Sequence, residues 1–129
     1  MSPTQRSLDY LRKLGFIAGP VERYIAAIQE SRDLWRFGDI VAAHPKEKII
    51  LIVQSTTLPN LAARKAKALD QPELTAWLAA GGRFELHGWT KKDGVWSMHR
   101  VEITEGLKPI SLLRPNRKKR HHAFAAELF

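Results

Sequence analysis

Gly38-Asp39-Ile40-Val41-Ala42-Ala43-His44-Pro45, then Lys46-Glu47-Lys48, then Ile49-Ile50-Leu51-Ile52-Val53-Gln54-Ser55-Thr56, is the stretch on which the fold turns. Phe37 to Ala43 reads as a short strand that His44-Pro45 ends. Ile49 to Val53 is an unbroken β-branched and leucine run, the pattern of a central strand buried on both faces. The polar Pro45 to Lys48 segment between them is short enough to make the pair a hairpin. A hairpin of this kind sets a carboxylate, Asp39, at one end of a strand and an amide oxygen, Gln54, near the end of the next. With the Ser55 carbonyl as a third oxygen, the set suits a hard divalent cation such as Mg2+ or Mn2+, which keeps several waters and needs few protein ligands.

Outward from that hairpin the chain alternates readable elements. Ser2 or Thr4 can cap a first helix with Pro3 in its first turn, Leu8, Leu11 and Leu14 supply its apolar stripe, and Gly15 marks its stop. Val21 to Ser31 has both helical and alternating spacing. After Leu58-Pro59-Asn60 a helix is expected over Leu61 to Leu69, and a second over about Pro72 to Ala80, closed by Gly81-Gly82. Arg83 to Trp89 alternates, with Phe84 and Leu86 on one face and Arg83, Glu85 and His87 on the other. Lys92-Asp93-Gly94 is a hairpin turn, and Val95 to Ile103 is the returning strand. The expected order is an α/β domain over residues 1–103, a central mixed sheet flanked by helices, followed by a basic extension over 104–129.

The charge is uneven in kind rather than in place. Lys and Arg number 21 against 13 Asp and Glu, a net +8, and the sequence pI is near 10.1. From Thr104 onward six basic residues face two acidic ones, so the extension and the body each carry +4. Such an excess favours polyanion partners through phosphate neutralisation and counterion release. With no cysteine in the chain, disulfide scaffolds, thiolate zinc sites and cysteine nucleophiles are excluded. His44, His87 and His99 are scattered and His121-His122 lies in the extension, so no zinc spacing arises. No Gly-rich phosphate loop and no serine-hydrolase elbow is present. No run approaches a membrane span and the start has no leader profile, so a cytoplasmic protein is expected. Trp35, Trp77, Trp89 and Trp96 are candidates for stacking on unpaired bases, although Trp77 has core spacing with Leu74 and Leu78.

The Asp39 and Gln54-Ser55-Thr56 segments resemble the Asp...(Glu/Gln)-x-Lys signature of the PD-(D/E)XK nucleases, the restriction-endonuclease-like and Holliday-junction-resolvase-like enzymes. Val21-Glu22-Arg23-Tyr24, Asp33-Leu34, Gly38-Asp39, Val53-Gln54-Ser55-Thr56, Asn60...Arg64...Lys67 and Leu86-His87-Gly88-Trp89, in that order, are similar to small phage and bacterial members over residues 6 to 103. The resemblance implies a restriction-endonuclease-like core (α-β-β-β-α-α-β-β), a strand over Val21 to Ile25, and a Mg2+-dependent endonuclease acting on DNA, with branched or single-stranded forms among its candidate substrates. It implies Asp39, Gln54 and Ser55 as metal ligands, and Glu22 as either an added acidic residue or a surface glutamate. Junction-cutting members are homodimers. Two departures stand out: Gln54 replaces the usual Glu, and Thr56 occupies the position of the family's lysine. Catalysis then rests on a cation from the next helix, Lys67 first and Lys65 second, with Lys65 phased toward the apolar face. Arg64, Asn60, Thr56 and the extension's Lys118, Lys119 and Arg120 are the expected DNA contacts. The alternative is a nuclease fold without catalysis, an accessory protein that only binds nucleic acid. A third reading makes the chain a small interaction protein.

Overall fold

The structure, a computed structural model, describes residues 1–21 and 23–113. Helix α1 (Pro3–Lys13) begins where the Ser2 hydroxyl accepts the Gln5 N–H at 3.1 Å. Arg12 and Lys13 sit in its last turn against the negative end of the helix dipole. Gly15, at φ 99°, supplies the left-handed residue that ends it. Seven strands follow: β1 (Ile17–Pro20), β2 (Arg23–Ile25), β3 (Glu30–Arg32), β4 (Ile40–His44), β5 (Ile49–Thr57), β6 (Arg83–Lys92) and β7 (Val95–Glu102). Helices α2 (Leu61–Leu69) and α3 (Pro72–Ala79) separate β5 from β6.

Five strands form one mixed sheet in the order β1-β4-β5-β6-β7, while β2 and β3 pair by themselves. Every neighbouring pair in the large sheet is antiparallel except β5 and β6. Parallel strands need a crossover long enough to return the chain to the same end, and α2 with α3 provides it. The β6–β7 hairpin closes through Asp93-Gly94, both at positive φ (52° and 77°), as a two-residue turn matching the sheet's twist requires.

The sheet separates two apolar layers. Leu8 and Leu11 of α1 pack on Ile40, Ala42, Leu51 and Val53. On the other face Leu61, Ala68 and Leu74 pack on Phe37, Ile52, Phe84, Leu86 and Ile103. Alternation along β5 sends Leu51 and Val53 one way and Ile52 the other, so its continuous apolar run is spent on two cores. Among the described residues no helix is long and apolar enough to cross a membrane.

Two expectations need correction, and packing continues beyond the last expected strand. The strand beside β4 is Ile17–Pro20, not Val21–Ile25; Arg23–Ile25 pairs with Glu30–Arg32 in a separate hairpin. Gly19-Pro20 resembles a helix opening, but an edge strand tolerates a proline that has no N–H to give. The strand expected from Phe37 begins only at Ile40, because Leu34 to Gly38 is a tight loop: the Leu34 N–H meets the Gly38 carbonyl at 2.7 Å and the Gly38 N–H meets the Leu34 carbonyl at 3.0 Å. Trp35 and Arg36 within it both take left-handed φ, 49° and 67°, a conformation costing non-glycine residues about 1–3 kcal/mol each. Finally, packing does not stop at residue 103. Leu107 joins the α3-side core, the Thr75 hydroxyl donates to the Lys108 carbonyl, Lys108 pairs with Asp70 at 3.5 Å, and a 3-10 turn (Ile110–Leu112) lies against α3.

Gly38 is the tightest point of the loop, since a Cβ there would overlap Cγ2 of fully buried Ile52. Gly38→Ala is expected to destabilise the fold by about 1–3 kcal/mol. Gly19→Ala, where a Cβ meets nothing within 4 Å, should stay within about 0.5 kcal/mol of the parent. Denaturant unfolding of the two variants checks both.

Candidate functional site

The antiparallel ladder between β4 and β5 ends at Ile40 opposite Val53, with one more bond from the Asp39 N–H to the Val53 carbonyl at 3.0 Å. Beyond it β5 continues to Thr57, paired only with β6. The next β4-facing amide on β5, Ser55 N–H, therefore has no strand to meet. Asp39 turns its carboxylate into that place: both oxygens lie 3.2 Å from the Ser55 nitrogen, and the Gln54 amide nitrogen lies 3.1 Å from Asp39 Oδ2. Asp39 and Gln54 are each 4% exposed. In a strand one residue's N–H and C=O point the same way, so the Ser55 carbonyl also faces the Asp39 side. Sheet termination thus brings the three expected ligands together.

The donor set can be tested for fit. Turning the Gln54 amide by 180° exchanges its oxygen and nitrogen without altering its shape. The oxygen would then stand 3.1 Å from Asp39 Oδ2. Adjacent ligands of an octahedral Mg2+, at bonds of about 2.1 Å, stand about 3.0 Å apart. The group is all oxygen, so it fits Mg2+ or Mn2+ and not zinc. Its charge is low: among the described residues no cluster of three His, Asp or Glu is placed to hold a metal. Glu22, Lys118, Lys119 and Arg120 lie outside the described residues.

Helix α2 follows β5 on the Gln54 side of the sheet. Its buried residues are Leu61 and Ala68, with Arg64 and Leu69 half-buried, whereas Lys65, Lys67, Ala62 and Ala66 are exposed. Stepping about 100° per residue still places Lys65 between Leu61 and Leu69, as expected, but its side chain is exposed. In an alanine-rich helix the apolar stripe is ambiguous, and the phase comes from Leu61 settling over Gly88, where a Cβ would stand 3.1 Å from Leu61 Cδ2. Arg64 and Lys67 instead line a polar cleft of 340 Å3 whose other wall is Glu30 to Asp33 and Arg36. Asn60 is exposed and gives its amide N–H to the Thr57 hydroxyl at 3.0 Å. Thr56 is buried, 6% exposed, on the same face as Gln54.

On the opposite face lies a polar network that composition and spacing do not announce. Ser55 Oγ donates to the Pro3 carbonyl at 2.8 Å and lies 2.7 Å from Ser7 Oγ. Ser7 Oγ is 2.8 Å from His87 Nδ1 and accepts the Trp89 indole N–H at 2.9 Å. His87 Nε2 meets Glu85 Oε1 at 3.0 Å, and Arg100 meets Glu85 Oε2 at 2.8 Å. The Ser55 hydroxyl hydrogen goes to Pro3, and the Glu85 carboxylate only accepts. Ser7 and His87 are fully buried, so this Ser-His-Glu array meets no substrate and works as scaffold. Ser55 alone belongs to both faces, its N–H on Asp39 and its hydroxyl on Ser7. The alternation of Glu85 and His87 was readable in sequence; the meeting with Ser7, 80 residues away, was not.

Burial pushes the Glu85 carboxyl up, but hydrogen bonds and charge from His87 and Arg100 outweigh it and hold the group below its ordinary value. Arg100, bonded to Glu85, and Arg83, bonded to Glu102, are raised in turn. Comparisons with protein-family models, curated proteins and solved structures found no match to this chain.

A depressed carboxyl binds its proton more weakly folded than unfolded, so its contribution is complete above the ordinary value of 4.5 and is lost as pH falls through the lowered one. Thermal unfolding should show the parent losing stability over that acid window. Glu85→Gln should be less stable by about 2 kcal/mol at neutral pH and flatter below pH 4.5.

Proposed function

We propose that this chain is a divalent-metal-dependent nuclease acting on DNA, with a restriction-endonuclease-like core of the PD-(D/E)XK type. The observation that carries this reading is the buried Asp39 carboxylate at the mouth of β4, 3.1 Å from the Gln54 amide and bonded to the Ser55 backbone. The order of one helix, an antiparallel three-strand group, a helical crossover and a parallel return into a hairpin also fits the resemblance in the sequence. Asp39, Gln54 and the Ser55 carbonyl would hold Mg2+ or Mn2+, which when bound acidifies a water and offsets charge on phosphate. Arg64 and Lys67 would bind the DNA backbone across the polar cleft. Lys67, which lines that cleft, is the side chain assigned to the scissile phosphate; Lys65, exposed and outside the cleft's lining, is left a backbone contact.

A second reading has a specific observation in its favour. Thr56 is buried and uncharged at the position where the resemblance expects lysine, so the fold could bind DNA without cutting it. The two readings part on a single set of measurements. With Mg2+ or Mn2+, the nuclease reading expects cleavage of duplex, single-stranded or branched DNA. Asp39→Ala should lower it on the order of 100-fold or more. A parent protein that cuts none of these substrates while binding them with steep salt dependence establishes the binding reading instead.

A readout independent of cleavage comes from Gln54. Gln54→Glu places two carboxylates about 3 Å apart, which repel without a cation between them. The metal-free variant should melt below the parent, and added Mn2+ should raise its Tm more than the parent's. Equal Mn2+ response in both proteins removes Gln54 from the metal site.

A further inference from the structure

The loop from Leu34 to Gly38 is bonded across its base by two backbone hydrogen bonds, and its tip holds Trp35 and Arg36 at φ 49° and 67°. Left-handed backbone at two successive bulky residues is held against its own preference, and such outliers gather at functional positions. Here the conformation has a definite result. Consecutive side chains are sent to different places: Arg36 lines the polar cleft with Arg64 and Lys67, whereas Trp35 lines an apolar hollow of 330 Å3 beside Trp77 and Ala80. The Trp35 ring stands 6.3 Å from the Trp77 ring and remains 44% exposed, although Phe37, two residues on, is buried. The cleft lined by its chain neighbour Arg36 has four cationic residues, Arg32, Arg36, Arg64 and Lys67, against Glu30 and Asp33. An aromatic ring left open beside a cationic cleft is the pairing that single-stranded nucleic acid requires, since each unpaired base has a ring face and each link a phosphate.

We propose that Trp35 stacks on an unpaired base of a DNA strand whose phosphates lie along Arg36, Arg64 and Lys67, so that the substrate is DNA with a single-stranded segment. This rests on the DNA-binding part of the function proposed above and narrows it. A duplex keeps its bases stacked inside and offers Trp35 nothing but backbone. The discrimination between single strand and duplex therefore belongs to Trp35, and the general affinity to the three cations.

The test measures binding without divalent metal, so that nothing is cut, using a labelled oligothymidylate and a duplex of equal length. The parent should bind the single strand more tightly. Trp35→Ala should weaken single-strand binding about 5- to 100-fold with duplex affinity unchanged, and Trp35→Phe should restore most of the loss. Oligothymidylate should quench the parent's tryptophan fluorescence, and that quench should shrink in Trp35→Phe although binding persists, a result that a purely structural role for the ring would not produce. Arg64→Ala should weaken both DNAs together. If Trp35→Ala binds oligothymidylate as well as the parent, or loses duplex and single strand equally, the stacking role is overturned while DNA binding stands. If the parent binds neither DNA, the stacking role is overturned, and the nuclease reading is decided separately by cleavage with Mg2+ or Mn2+.

Discussion

The backbone of β5 is hydrogen-bonded to β4 on one side and to β6 on the other, and its side chains Leu51, Ile52 and Val53 fill both cores. That double commitment fixes the rest. Over Leu51 to Val53 the strand is paired on both edges and covered on both faces. It is reached by a hairpin from β4 and left by a crossover to β6, because a parallel neighbour cannot be entered through a tight turn. It must also be covered on both sides, by α1 on one and by α2 and α3 on the other. Where β4 starts one residue after Asp39, the ladder on that edge runs out, and the Asp39 carboxylate takes the amide that a further strand residue would have taken. The position of the candidate ligand is thus a property of strand length.

What the sequence revealed follows the same division. Patterns that are local and bounded by turn residues were legible: α2, the Asp93-Gly94 hairpin and the run over Ile49 to Val53 stand where spacing puts them. Edges were less so. Ile17–Pro20 is four residues long, too short for a period, and its Gly-Pro ending mimics the start of a helix. On α2 the exposure of Ala62, Ala66 and Lys65 was not legible, because alanine contributes apolar character on every side, and the contact that seats the helix, Leu61 against Gly88, is made at long separation.

The candidate site was half visible. Asp39, Gln54 and Ser55 are close in sequence and share one hairpin, so proximity could be argued from register alone. The second half depends on contacts made at long separation. Ser7 belongs to α1, Ser55 to β5 and His87 to β6, and no spacing rule links them. Alternation puts Glu85 on the face of β6 opposite Phe84 and Leu86, but does not give its burial: it is a buried carboxylate between His87 and Arg100. The cleft combining Arg64 and Lys67 with Arg36 likewise joins a helix to a loop distant in sequence.

The hydrogen bond from the Val21 N–H to the Asp39 carbonyl, at 3.0 Å, has a consequence for how such a fold can diversify. It ties together the two feet of the excursion that carries β2, β3 and the Trp35 loop, so the sheet is already closed at its base. Lengthening a closed excursion costs little, about 0.6 kcal/mol for each doubling. The segment between those feet is a graft site: its length and reach can be rewritten while the carboxylate beside its root keeps its place.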